Sequence, residues 1–356
     1  MESSVTLRQV TRRAVPGFVG WTAALGVFLL LFGTESVVTA ARTLATPMAG
    51  PLVALGVGAT VCWGLSLWRT LAGVGASVHP VRAIGLFFAA TFINGITPFG
   101  QTGGDPVSAV LVERTTGVEY ESGLAAVVSV TGINRLVSVV VAGVAGLLTL
   151  HAGTTTLTHI GGAPMTLVAA GTLVAVVSLV GVVGVVGVSV GGPNESGHGA
   201  LDGAITRVRT VLDPSDSRLP KRLRRRLTAL RARGVRFARA MRRTLGDGRT
   251  TGTVVCLGVL GECALGATLW GTLLMLGVTA SPALVLAAVP LSRVGAVAPT
   301  PGGAGGVEVA LAGLLVALGG VAAPVAGVAA LAFRLLTFAV PTIVGGGVVA
   351  LTLTRS

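Results

Sequence analysis

Apolar residues in this chain gather into long unbroken runs, not into the alternating or striped patterns of a soluble domain. Five runs are of the ~20-residue order that carries a helix across a bilayer: Gly17–Gly33, Pro51–Trp68, Gly123–Leu150, Thr166–Val190 and Thr253–Leu276. A sixth, Pro324–Leu353, holds Arg334 as its one charged residue. Membrane β-strands would alternate in segments of about ten residues, and these runs do not. The pattern therefore predicts an all-α polytopic membrane protein and a single integral membrane domain over 1–356.

Two shorter apolar regions end in glycine- and proline-rich breaks. Ala83–Ile96 leads into Thr97-Pro98-Phe99-Gly100-Gln101-Thr102-Gly103-Gly104-Asp105-Pro106. Pro282–Ala298 leads into Pro299-Thr300-Pro301-Gly302-Gly303-Ala304-Gly305-Gly306-Val307-Glu308. Residues of these types end a helix, and each break closes on one carboxylate that is expected to begin the next helix. Downstream of each break an arginine sits inside an apolar run, in Gly-Ile-Asn-Arg135-Leu and Ala-Phe-Arg334-Leu-Leu. The expected organisation is about six full spans plus two broken, re-entrant hairpins. A first repeat covers 51–150 with its hairpin at 83–114, and a second covers 251–353 with its hairpin at 282–319.

Charge adds an orientation. Of the 26 Lys and Arg residues, 15 fall between Gly191 and Thr250, against five acids there. By the positive-inside rule the 191–250 loop is cytoplasmic, as are the N-terminus with Arg8, Arg12 and Arg13 and the C-terminus, while Thr43–Gly50 and His151–Ala163 lie outside. Counting spans from there gives the two repeats opposite orientations. Inverted repeats whose discontinuous helices meet near the midplane are a transporter architecture. Within the loop, Leu223, Leu227, Leu230, Phe237, Met241 and Leu245 face one way and basic residues from Lys221 to Arg243 the other. This reads as an amphipathic helix for anionic inner-leaflet lipids or as a connector that fixes topology. No aromatic interleaving or binding module supports nucleic acid as a partner.

The first run follows three arginines and precedes Thr39-Ala40-Ala41, as in a signal peptide, but its length and the spans behind it favour an uncleaved helix. Cys62, Cys256 and Cys263 all fall in apolar runs and are expected to be packing residues. No metal and no cofactor is expected.

A charge at the bilayer centre costs at least ~2.5 kcal/mol, so Asp105, Arg135, Glu262, Arg293, Glu308 and Arg334 must pair, face water or bind something charged. One reading pairs them internally, for example Glu262 with Arg293 or Arg334. The other gives them to a substrate: guanidinium forks suit phosphate, and helix N-termini after the breaks add N–H donors. The candidate substrate-binding set is Arg135, Arg334, Arg293, Asn94, Pro98, Gln101, Gly103, Gly104, Asp105, Pro301, Gly302, Gly303 and Glu308. Glu308 and Glu262 are candidates for ion or proton coupling.

At Asn94–Pro106, Pro299–Glu308 and Arg334 the sequence resembles the lysylphosphatidylglycerol synthase transmembrane region, the flippase-like domain family. That family carries Glu-Arg where this chain has Asn134-Arg135, and Glu where Asp105 stands. The resemblance covers nearly the whole chain and looks like a stand-alone member without the synthase domain. It implies transfer of a phospholipid or a polyisoprenyl-phosphate-linked lipid between leaflets. A separate synthase or glycosyltransferase partner is the scaffold alternative. A membrane enzyme acting on a lipid phosphate would need a nucleophile or base beside the arginines, and neither break contains Ser, Cys or His. The expectation is no enzyme; a small-anion transporter is the other alternative.

Overall fold

The computed structural model describes residues 34–97, 101–151, 221–297 and 300–354. Every regular element in them is helical. The runs Gly17–Gly33 and Thr166–Val190, and the whole 191–220 stretch, lie outside the described residues.

The helices, in chain order, are α1 (Thr34–Leu44), α2 (Ala49–Gly73), α3 (Pro80–Ile96), α4 (Gln101–Thr116) and α5 (Tyr120–His151). After the undescribed stretch come α6 (Lys221–Gly246), α7 (Gly248–Met275), α8 (Pro282–Ser292) and α9 (Gly306–Gly319). The chain then runs through α10 (Ala323–Arg334), a π-helical turn (Leu335–Ala339) and α11 (Val340–Thr354). Four stretches are long and apolar enough to cross a membrane: Ala49–Gly73, Tyr120–Thr149, Gly248–Met275 and Ala323–Thr352. They coincide with four of the six predicted runs. Pro80–Ile96 and Gly306–Gly319 are shorter apolar helices; at 1.5 Å per residue, 17 residues span only about 25 Å.

Helix α1 is not anticipated by the apolar runs, because its sequence is amphipathic. It runs through Thr39-Ala40-Ala41 and buries Ala40 fully against Val328 and Ala332 of α10.

Helices α2 and α7 pack along one another at the centre. In lipid, apolar side chains gain little by leaving the solvent, so close fit supplies the association energy. The seam shows how that fit is made. Gly261 and Gly271 of α7 are hollows that receive the Trp63 indole and Leu52 of α2. Leu265, Leu269 and Leu273 then build a fully enclosed cluster with Ala59, Val285, Leu311 and Ala326.

The two halves repeat each other's local chemistry. Two residues past the end of α2 stands Gly75 (φ 90°), and two past the end of α7 stands Gly277 (φ 75°); the next N–H returns to Leu71 O in one case and Leu273 O in the other. Trp68 Nε1 donates to Val78 O at 3.0 Å, and Trp270 Nε1 to Ala280 O at 3.1 Å, each ten residues ahead. Pro80 and Pro282 then open the following helices, where a missing N–H costs nothing.

Packing repeats as well. Gly64 lies against Ile84 and Gly266 against Leu286, so each central span carries its own hairpin arm. Gly56 fits under Leu336 of the π turn, while Gly258 fits under Asn134 and Val137 of α5. α3 lies along α11, and α8 lies along α5. The first hairpin arm of each half is thus held by the last helix of the other.

The basic helix α6 exists as the sequence predicted, but its C-terminal part has a protein partner. Ala240 and Thr244 are buried, Met241 Sδ accepts from Ser129 Oγ of α5, and Leu245 joins Ile133, Val137 and Val254. Arg236 Nη2 donates to Glu121 Oε1 at 2.9 Å, at the start of α5. Arg233, Arg239, Arg242 and Arg243 are exposed.

The cysteine expectation needs correcting. All three are free, and only Cys62 is half-buried; Cys256 and Cys263 are exposed on α7. A run buried on one side still has an outer face, and these two lie on it.

Candidate functional site

The second break is built from α8, a 3₁₀ turn (Arg293–Val297), a short 3₁₀ turn (Pro301–Gly303) and the start of α9. Its glycines are required by geometry. Gly302, Gly303 and Gly305 have φ of 62°, 67° and 82°, a region costly for residues with a Cβ. A Cβ on Gly302 would collide with the Phe338 ring, and one on Gly295 with the Gly306 carbonyl. Both arms of the hairpin therefore approach backbone to backbone.

Arg334, the last residue of α10, reaches into this turn. Its Nε donates to Glu308 Oε1 at 3.0 Å and its Nη2 to the Gly302 carbonyl at 2.9 Å. Its guanidinium carbon lies 4.2 Å from the centre of the Phe338 ring, a cation–π contact worth up to ~2 kcal/mol when desolvated. Phe338 sits in the π-helical turn; such turns recur at functional sites. Glu308 is 8% exposed, and its Oε2 has no hydrogen-bond partner among the described residues. As expected, Glu308 stands in the first turn of its helix.

The first break is built differently from the expectation. Asp105 does not begin a helix: α4 already starts at Gln101 and carries Pro106 inside it. The Asp105 carboxylate faces the side chains of Thr131 and Asn94 and the charge of Arg135. Close packing is again found here, since a Cβ on Gly104 would collide with Asn94 Oδ1. That oxygen is buried with no hydrogen-bond partner among the described residues.

The two breaks meet at Phe338. Its ring edge lies 3.3 Å from where a Cβ on Gly95 would sit, and Gly302 presses on the same ring. The end of α3, next to Asn94 of the first break, therefore packs on the same ring as the Gly302 turn that holds Arg334.

A third cluster holds Glu262 of α7, Arg293 and Ser138 of α5. Arg293 Nη1 and Nη2 donate to Glu262 Oε1 and Oε2 at 2.7 and 3.0 Å. Ser138 Oγ donates to Oε1 at 2.6 Å, and Arg293 Nη1 also donates to Ser138 Oγ. Glu262 is 2% exposed. Of the two partners expected for it, Arg293 is the one it takes; Arg334 belongs to Glu308.

Pro98 lies outside the described residues. Gln101 and Gly103 lie in the first turn of α4, and Pro301 opens the short 3₁₀ turn. Ser138, Thr131 and Phe338 are absent from the expected set, since nothing in a run of apolar and hydroxyl residues marks which will face a charge. The paired tryptophans are visible in Leu67-Trp68-Arg69-Thr70-Leu71 and Leu269-Trp270-Gly271-Thr272-Leu273.

Long apolar spans with acid–arginine pairs at glycine-built breaks define a multi-pass α-helical membrane protein. The chain belongs to the lysylphosphatidylglycerol synthase TM region family, which it matches over residues 17–345. A comparison with curated proteins finds no match.

Proposed function

We propose that the protein moves an anionic phospholipid or a polyisoprenyl-phosphate-linked lipid between the leaflets of the cell membrane. The observation that carries this reading is the Glu308–Arg334 pair at a glycine-built helix break inside an apolar bundle, with the Asp105 carboxylate and the charge of Arg135 at the other break. Irregular backbone at membrane depth is tolerated where protein or a water-lined path satisfies it. A guanidinium there, held by one carboxylate oxygen and one carbonyl, offers a fork suited to phosphate. Family membership agrees with a lipid substrate.

In this reading the halves at 51–150 and 251–353 are inverted repeats, and the hairpins are re-entrant. The reciprocal packing of α3 on α11 and of α8 on α5 supports it, as do the matching tryptophan-closed turns. Each turn ends one central span, and opposite orientation would put Trp68 at the cytoplasmic side with α6 and Trp270 at the outer side. The exposed arginines of α6 then face anionic inner-leaflet lipids, and both termini are cytoplasmic.

The reading is non-enzymatic. Ser138 is engaged by Glu262 and Arg293, Ser292 donates to its own helix, and His79 caps α3, so these side chains are committed to structure.

The test is leaflet exchange of fluorescent phosphatidylglycerol in proteoliposomes, comparing wild type with Arg334→Ala. Exchange in wild type that is lost in a folded mutant supports lipid transfer. If wild type exchanges no phosphatidylglycerol or polyisoprenyl-phosphate lipid yet passes a small anion, the small-anion reading replaces it. Phosphate release from the lipid would point to the enzyme.

A further inference from the structure

Two buried carboxylates are candidates for coupling, and their surroundings separate them. Glu262 is closed: both its oxygens accept from the Arg293 fork, and Ser138 completes the set. Glu308 is open. One oxygen accepts from Arg334 Nε, and the other is buried without a hydrogen-bond partner among the described residues. A buried acceptor left unmade is costly, the more so when charged, and Glu308 is held by a single cationic contact.

The other charged groups around it are few. Among the described residues, the elements packed on α9 are α8, α10 and the 3₁₀ turn after α8. They carry Arg334 and Arg293 as their charged residues, and Arg293 is committed to Glu262. Removing Arg334 from Glu308 therefore leaves a carboxylate with no cation of its own. In a low-dielectric interior the charged form of such a group is strongly disfavoured.

We propose that the lipid phosphate and Glu308 compete for the Arg334 guanidinium, so that the protein carries one proton with each monoanionic phosphodiester lipid. As the phosphate oxygen takes the Arg334 Nε–H, the Glu308 carboxylate binds a proton and becomes a neutral acid. The sum of buried charge is zero before, with Arg334 and Glu308 ionised, and zero after, with Arg334 and phosphate ionised. Charge balance is what makes the step feasible, because an uncompensated ion in the membrane interior is strongly disfavoured. Release of the phosphate restores the Glu308–Arg334 pair and expels the proton. This mechanism rests on the lipid-transfer reading and names its coupling.

The experiment uses the full chain in phosphatidylcholine vesicles carrying fluorescent phosphatidylglycerol, with a pH step of one unit across the membrane. Electroneutral one-to-one coupling predicts that phosphatidylglycerol accumulates about tenfold in the leaflet facing the more alkaline side, beyond any shift in protein-free vesicles. An entrapped pH dye should report one proton per lipid moved. Glu308→Gln should bring the leaflet ratio back to about one and silence the dye, and Glu308→Asp should restore part of both. Wild-type exchange that reaches a ratio of one despite the gradient overturns the coupling and leaves lipid transfer standing. Absence of any wild-type exchange overturns lipid transfer itself. If Glu308→Gln does not fold, the wild-type gradient and dye decide alone.

Discussion

Replacing Glu262 by leucine tests whether the Glu262–Arg293–Ser138 cluster locks α5, α7 and the second hairpin together. Three donor contacts reach the carboxylate, at 2.6, 2.7 and 3.0 Å, and the group is 2% exposed. Breaking a buried ion pair by removing one partner costs ~3–5 kcal/mol, mostly because the other charge is stranded. Arg293 is less stranded than that, since 36% of its side chain is exposed. The expected loss is accordingly about 2–3 kcal/mol, below that range for a fully enclosed pair. Glu262→Leu combined with Arg293→Met should recover most of it, because the stranded charge is gone and the volumes are kept. The assay is equilibrium unfolding in mixed detergent micelles, followed by tryptophan fluorescence, for both single mutants and the double mutant. A single-mutant loss under about 0.5 kcal/mol, the range of ordinary surface substitutions, would refute the lock. So would a double mutant that loses the sum of both singles.

Gly345→Ala should destabilise by about 1–3 kcal/mol, since the new methyl would stand 2.6 Å from the Phe88 carbonyl carbon and part α11 from α3. Gly347→Ala, on the same helix with open space around it, should be neutral or slightly stabilising; melting of the purified proteins compares the two. Asp247→Ala should cost about 1 kcal/mol, because Asp247 caps α7 by accepting from Arg249 N and Thr250 N at 3.2 Å each. The Thr250 hydroxyl bonded to it is the main reason its carboxyl titrates below the ordinary aspartate range. The cap is therefore complete above about pH 4 and is lost as the pH falls through the lowered folded value. Unfolding midpoints of wild type and Asp247→Ala should converge below that point.

Legibility in the sequence followed the range of the interaction. Span positions are set by runs of apolar residues, and four of the six predicted runs became long helices. The breaks at Gly302–Gly305 are visible because positive φ and close backbone approach demand glycine, whatever lies nearby. Pairing is less visible. Spacing along the chain does not say that Arg334 will turn towards Glu308 or that Glu262 will meet Ser138 across the bundle. Asp105 reads as a helix start because a carboxylate after glycines resembles a cap, whereas α4 has already begun and the side chain faces α5. Helix α1 escapes notice because its burial is one-sided and depends on α10, which lies far off in sequence.

The frame of the protein repeats, but its charge does not. Glu262 stands midway between Gly258 and Gly266, the two glycines through which α7 meets α5 and α8. Thr60 stands midway between Gly56 and Gly64, which serve α2 in the same way. Thr60 needs no distant partner, since its hydroxyl donates back to Gly56 O within the helix. Where one half closes on itself, the other holds an ionised carboxylate that must be met by Arg293 and Ser138. Each break sets a carboxylate within the field of an arginine, Asp105 with Arg135 and Glu308 with Arg334, so that part of the chemistry is shared by both halves. Among the described residues the extra pair lies only at the second break, and parting the turn after α8 from α7 must separate charges that parting α3 from α2 does not. The second hairpin is thereby tied to its central span by an ion pair that has no counterpart among the described residues of the first. The difference comes down to Glu262 standing where the other half has Thr60.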